Sequence, residues 1–192
     1  MTQRCHWVGT YAPMIEYHDR EWGVPCFDDY RLWEYLVLDT FQAGLSWRTM
    51  IAKRENFRKA FDNFNFERNA LMTPERVNEL MQEAGIIRNR MKIEAIVTNA
   101  RAFIRIRQEK GSFAAFLWDF VEGRPVINRW SRPQEIPARS VLSDRISHEL
   151  KSRGFRFTGS TMVYAFLQGA GVVNDHLVSC FRYHEILRSY GH

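Results

Sequence analysis

Two cysteines and two histidines are spaced so that they could hold a metal. Cys5 and His18 have 12 residues between them near the start of the chain, and His176 and Cys180 stand at i, i+4 near its end. On a helix the second pair would share one face. Two thiolates and two imidazoles suit tetrahedral zinc, and four protein ligands leave no position for water. Such a site would be structural, tying the N-terminal segment to the C-terminal one. Spacing leaves a second reading open, in which each end carries a buried thiol and a satisfied core histidine. His6, His148, His184 and His192 have no comparable geometry, and Cys26 reads as a small buried hydrophobe outside the set.

A carboxylate in an unusual place is the second constellation. Asp39 follows Leu32, Tyr35 and Leu36 at i+7, i+4 and i+3, so on a helix it lies on the apolar stripe. An unpaired carboxylate is costly to bury, so Asp39 needs donors from the protein or from a ligand. Just beyond it, Gln42-Ala43-Gly44-Leu45-Ser46-Trp47 reads as a tight turn with an exposed Leu and a Trp at a helix start, while Trp7, Tyr17 and Trp22 lie upstream. Aromatic faces with one acceptor suit a flat, cationic, amino-bearing ring. The alternative places these aromatics in the core and gives Asp39 a capping role.

A third element is the connection Gly85-Ile86-Ile87-Arg88-Asn89-Arg90 between two helical stretches. A helix–hairpin–helix offers backbone amides and a helix N-terminus to a DNA phosphate, with Arg88, Arg90 and Lys92 adding charge. The usual glycine-rich hairpin is only partly present.

The elements that must position these groups read as helices. Asp28-Asp29 is a good N-cap pair ahead of Leu32, Tyr35 and Leu36. Ser46 can cap a helix carrying Trp47, Met50, Ile51, Phe57 and Phe61. Thr73-Pro74-Glu75 reads as cap, first-turn proline and first-turn acid, with Gly85 placed to end that helix in a left-handed cap. A long stripe runs through Ile93, Ile96, Val97, Ala100, Phe103 and Ile104, and Ser112 caps a helix through Phe120. Further helices are expected near Val141 to Arg153, stopping at Gly154, and over Thr161 to Ala170. Gly123 to Ser140, with Pro125, Pro133 and Pro137, reads as an irregular connection. Phe155-Arg156-Phe157-Thr158 is the best strand candidate, and Phe181 to His192 carries no clear signal. The class is all-α.

At 192 residues, with 45% apolar and 14% aromatic side chains, the chain suits a single unit over 1–192 that buries a core without disulfides. That aromatic content excludes a disordered tail. The first seven residues hold no apolar leader and three cysteines make no disulfide framework, so a soluble cytoplasmic protein with reduced thiols is expected, with no membrane association. The net charge of +5 is uneven: residues 1–100 carry 13 basic and 14 acidic groups, leaving 14 and 8 for residues 101–192. A second half at +6 is compatible with a polyanion partner and equally with ordinary solvated Lys and Arg.

Several blocks together resemble the bacterial DNA-3-methyladenine glycosylase I family. They are Cys5-His6-Trp7, Glu16-Tyr17-His18-Asp19, Glu21-Trp22-Gly23-Val24-Pro25, Gln42-Ala43-Gly44-Leu45-Ser46-Trp47, Lys53-Arg54-Glu55-Asn56-Phe57, Ala84 to Arg90, Arg153-Gly154-Phe155 and Val173-Asn174-Asp175-His176. They run in order over nearly the whole chain. The resemblance implies a helix–hairpin–helix glycosylase fold and base-excision repair of alkylated double-stranded DNA by a monomeric enzyme. It implies a structural zinc on Cys5, His18, His176 and Cys180, a base pocket of Trp7, Tyr17, Asp39 and Trp47, and a space-filling loop at Gly44-Leu45.

One position departs from the family pattern, which has Glu where this chain has Asp39. One methylene fewer shortens the reach by about 1.5 Å, enough to break a hydrogen bond unless the base sits deeper or a water bridges. The expected chemistry follows from the substrate. A purine methylated at N3 is cationic and already a good leaving group, so no strong general acid is needed. The expected role of Asp39 is to accept from the base's amine. No lysine nucleophile stands in the matched blocks, so a monofunctional enzyme leaving an abasic site is expected. Three competing readings are a zinc hydrolase, which four protein ligands exclude, a non-catalytic DNA-binding module, and a glycosylase with shifted alkyl-purine specificity.

Overall fold

The structure, a computed structural model, describes residues 3–42 and 44–190. Ala43 of the tight turn, Met1 and Thr2 of the leader reading, and Gly191 and His192 lie outside the described residues.

Ten α-helices run in order among the described residues: α1 (Ala12–Arg20), α2 (Asp29–Gln42), α3 (Trp47–Ala60), α4 (Phe66–Ala70), α5 (Pro74–Leu80), α6 (Arg90–Lys110), α7 (Phe113–Asp119), α8 (Val141–Ser152), α9 (Ser160–Gly169) and α10 (Phe181–Tyr190). No helix is long and apolar enough to cross a membrane among the described residues. The starts are set by short polar side chains that serve otherwise unpaired amides. Ser46 accepts from the Thr49 amide, Thr73 from Arg76, Asn89 from Lys92 and Ser112 from Ala115. The Asp28-Asp29 pair divides its work. Asp28 accepts from the Arg31 amide of its own helix, while Asp29 accepts from the Phe113 and Ala114 amides at the start of α7 and from Arg107.

The core gathers around α2 and α6. Ile93, Ile96, Ala100, Phe103 and Ile106 turn one face of α6 fully inward, where Phe103 stacks on Phe113 at 4.2 Å between ring centroids. Every residue of α2 from Leu32 to Phe41 is buried, wider than a single stripe predicts, which marks a helix enclosed on all sides. Enclosure makes an unpartnered polar group costly. Glu34 takes Arg54 and Arg58, and the Thr40 hydroxyl donates to the Leu36 carbonyl. Among the described residues no side chain donates to Asp39.

Three local expectations are corrected. Phe155 to Thr158 is not a strand; the β structure is a two-residue parallel pair, β1 (Val126–Ile127) with β2 (Val173–Asn174), inside and beyond the proline-rich connection. α5 ends at Leu80, so Gly85 is not its left-handed cap. A Cβ on Gly85 would lie 2.9 Å from Asn56 on α3, so this glycine allows the hairpin to sit against that helix, where Lys53 donates to its carbonyl at 3.2 Å. The tail from Phe181, silent as a pattern, forms α10 with Tyr183 and Ile186 buried.

Candidate functional site

The four predicted metal ligands converge. Their ligand atoms all lie within 4.8 Å of one another, and all four residues are buried. Cys180 Sγ stands 3.5 Å from His18 Nε2 and 3.5 Å from His176 Nδ1, and Cys5 Sγ is 3.6 Å from His176 Nδ1. A tetrahedral ion with Zn–S near 2.3 Å and Zn–N near 2.05 Å separates its S and N ligands by about 3.6 Å, so the set fits. His176 and Cys180 do not share a helix, as i, i+4 spacing suggested. A turn carries them, with the Cys180 amide bonded to the Leu177 carbonyl at 2.7 Å just before α10.

The surroundings fix which nitrogen faces the center. His176 Nε2 donates to the Trp22 carbonyl at 2.9 Å, leaving Nδ1 as the ligand, and burial keeps this imidazole neutral. His18 Nδ1 donates to Asp19 at 2.7 Å, leaving Nε2. Asp19 is gripped by Arg4 at 2.7 to 3.0 Å; burial opposes its charge, but the bonds from Arg4 and His18 hold its carboxyl below the usual range. The hydrogen bond that Cys5 and Cys180 share lowers the Cys180 thiol, with the bonds to His176 and His18 adding to it, and raises the Cys5 thiol. Two thiols, two imidazoles with their outer nitrogens engaged and a carboxylate behind one of them are a donor set that fits a structural metal.

A cavity lies beside this cluster. It encloses about 560 Å³ and is lined by Trp7, Tyr17, Trp22, Asp39 and Trp47, with His6, Met14, Gln42, Arg48 and Gln168 among its further lining. Trp7 meets Trp22 edge-on at 5.0 Å, and Tyr17 lies 5.4 Å from Trp47. Trp22 in turn packs edge-on against His176 at 4.6 Å, and Trp7 against His18 at 5.4 Å. The metal cluster is therefore the backing of the aromatic wall. Asp39, 5% exposed, opens onto this space, and burial alone pushes its carboxyl far above the usual carboxylate range. The Trp47 indole Nε1 is buried without a partner among the described residues. Acid and indole N–H are thus two groups that the described residues leave unserved.

Sequence reasoning missed part of this lining. Gln168 reaches the cavity from α9, its Nε2 held at 2.8 Å by Asp175. Asp175 is fully buried and also accepts from Asn128, Trp130 and Tyr164, so four neutral donors replace a cation. No spacing rule pointed to Gln168, because α9 reads as a helix with small residues for close packing.

The remaining predicted residues lie outside the cavity. Gly44, at φ 83°, takes the left-handed backbone that lets the turn close. Leu45 is 36% exposed beside it, with its amide on the Gln42 carbonyl and its own carbonyl accepting from Gln42 Nε2, both at 2.7 Å. Arg88 is exposed on the connection between α5 and α6, and Arg90, the first residue of α6, is exposed and donates to Asn78 at 2.7 Å. Lys92 is the correction. Expected at the DNA, it is 7% exposed, and its ammonium donates to the Phe41 carbonyl at 3.2 Å. A lysine buried along its stem and committed at its head is not available to a phosphate.

Known proteins share this fold. The profile of the methyladenine glycosylase family matches residues 7–183. DNA-3-methyladenine glycosylase 1 of Escherichia coli (strain K12) is 46% identical over 181 residues, covering 94% of this chain and 97% of its own length. A crystal structure of 3-methyladenine DNA glycosylase I superposes with a TM-score of 0.90 at 47% identity, covering 93% of this chain and 98% of its own. A Tyr→Phe variant of a 3-methyladenine DNA glycosylase I, in complex with 3-methyladenine, does so with a TM-score of 0.90 at 34% identity, covering 93% and 96%. The chain belongs to the methyladenine glycosylase family.

Proposed function

We propose that this chain is a monofunctional DNA-3-methyladenine glycosylase acting in base-excision repair, a single unit over 1–192 that works as a monomer in the cytoplasm on alkylated double-stranded DNA. The observation that carries the reading is Asp39, a buried acid with no donor among the described residues, opening onto a cavity of tryptophans and tyrosine. An adenine methylated at N3 meets each unserved group. Its positive ring lies against aromatic faces, its amine donates to Asp39, and a ring nitrogen can accept from the Trp47 indole.

The reaction needs little more from the protein. The C1′–N9 bond breaks, and its electron pair neutralizes the cationic ring. Water adds its oxygen to C1′ and releases its proton to solvent, leaving an abasic site. Asp39 supplies selectivity: it accepts from the amine of the cationic base and holds that base in the cavity ahead of bond cleavage. Leu45 fills the space vacated by the everted nucleotide. The connection from Gly85 to Arg90 grips a phosphate as a helix–hairpin–helix, with Arg88 and Arg90 supplying charge. The Cys5, His18, His176 and Cys180 set holds zinc in a structural role, keeping Trp7 and Trp22 in place.

The shorter Asp39 favors one second reading, a pocket shifted toward other alkylated purines. The test is chromatographic release of free bases from methylated DNA by wild type, Asp39→Glu and Asp39→Ala. Release of 3-methyladenine by wild type, lost in the alanine variant, is the expected result. An inert wild type with an active Asp39→Glu would move the substrate elsewhere. Strand cleavage before alkali treatment would overturn monofunctional chemistry.

A further inference from the structure

The last turn of α2 ends in carbonyls that the helix cannot serve. Were the helix to continue, the Phe41 carbonyl would accept from the Leu45 amide. The turn diverts that amide to the Gln42 carbonyl at 2.7 Å, and Lys92 takes the freed Phe41 oxygen at 3.2 Å. An ammonium also suits a helix C-terminus, where the aligned peptide dipoles place partial negative charge. Lys92 itself sits in the first turn of α6, its amide held by Asn89 at 3.2 Å. One buried side chain therefore links two elements 51 residues apart: the helix start next to the hairpin, and the turn that presents Leu45.

We propose that Lys92 is a positioning residue for nucleotide eversion, a strut that fixes the height of the Leu45 turn above the hairpin's helix start. DNA gripped at the hairpin then meets a side chain already set at the depth of the base stack. Lys92 touches neither base nor phosphate. Its action passes through the Phe41 carbonyl and the two-bond turn of Gln42 and Leu45. The inference rests on the reading of Leu45 as the residue that fills the vacated space.

The test uses the full-length, metal-loaded protein. Lys92→Met keeps the stem and removes the donor. Misplacement of a reacting arrangement by about 1 Å can cost around a hundredfold, so a loss of about tenfold or more in single-turnover release of 3-methyladenine from methylated duplex is expected. Binding of free 3-methyladenine, followed by tryptophan fluorescence, is expected to stay unchanged. The salt dependence of duplex binding is also expected to hold, whereas losing a phosphate contact lowers the slope by about one. In a Leu45→Ala background, Lys92→Met is expected to add nothing. A fallen salt slope, or free-base binding lost together with excision, overturns the strut. A silent Lys92→Met beside a damaging Leu45→Ala overturns the strut alone. A silent Leu45→Ala overturns the wedge reading and the strut with it. Should Lys92→Met lower the melting temperature, Lys92→Arg, still able to donate to Phe41, is expected to recover most of the rate, and no recovery overturns the proposal.

Discussion

Asp39 concentrates the conflict between stability and use in one side chain. Below about pH 3 it is protonated in both folded and unfolded chains, and its burial costs no ionization. As pH rises, the unfolded chain gains by ionizing while the buried acid stays neutral, so stability falls through the interval up to the raised folded value. Asp39→Asn, of the same shape, removes that penalty. Thermal melts are expected to lie closest near pH 3 and to separate by pH 8 with the asparagine variant gaining stability relative to wild type, while its base release falls sharply. Melts no further apart at pH 8 than near pH 3 would show that Asp39 is ionized in the empty protein. The location of Asp39 was legible from spacing alone, because an acid at i+3, i+4 and i+7 from apolar residues has nowhere else to point. The burial of Lys92 was not legible, since charge predicts solvent unless a distant carbonyl is known to be waiting.

At the level of elements, caps and periodicity located most helices, and Ser46, Thr73 and Ser112 all cap as their types require. What escaped was short or tertiary in origin. α4 has five residues, too few to show a period, and the two-residue strands exist because Val126 and Val173 meet across the fold. Gly85 was read as a local cap but is a contact residue, visible only once α3 lies beside it. Gly85→Ala would press a methyl to 2.9 Å from Asn56, and the hairpin must shift outward. Duplex binding is expected to weaken several-fold, with free 3-methyladenine binding kept. Equal loss of both would place Gly85 in the support of the pocket instead.

Across the whole molecule, the cluster of Cys5, His18, His176 and Cys180 joins segments that pattern reading could only pair as types. Because Trp7 and Trp22 lean on His18 and His176, removing the proposed zinc is expected to disturb base recognition as well as stability. Chelation under denaturant, followed by refolding, should lower the melting temperature by several degrees and weaken free-base binding, with both restored by zinc. Full base binding in metal-free protein would uncouple the wall from its backing.

That long-range closure also sets an order on synthesis. Cys5 waits for His176, 171 residues later, and His18 waits for Cys180, 162 residues later. On the ribosome, α2 and α6 can pack while the chain is still growing, but the wall made by Trp7 and Trp22 gains its backing only when the final segment emerges. A nascent or prematurely terminated chain can thus hold most of a hydrophobic core and yet have no working pocket. Cys5 and His18 are made long before the partners that fix their final places.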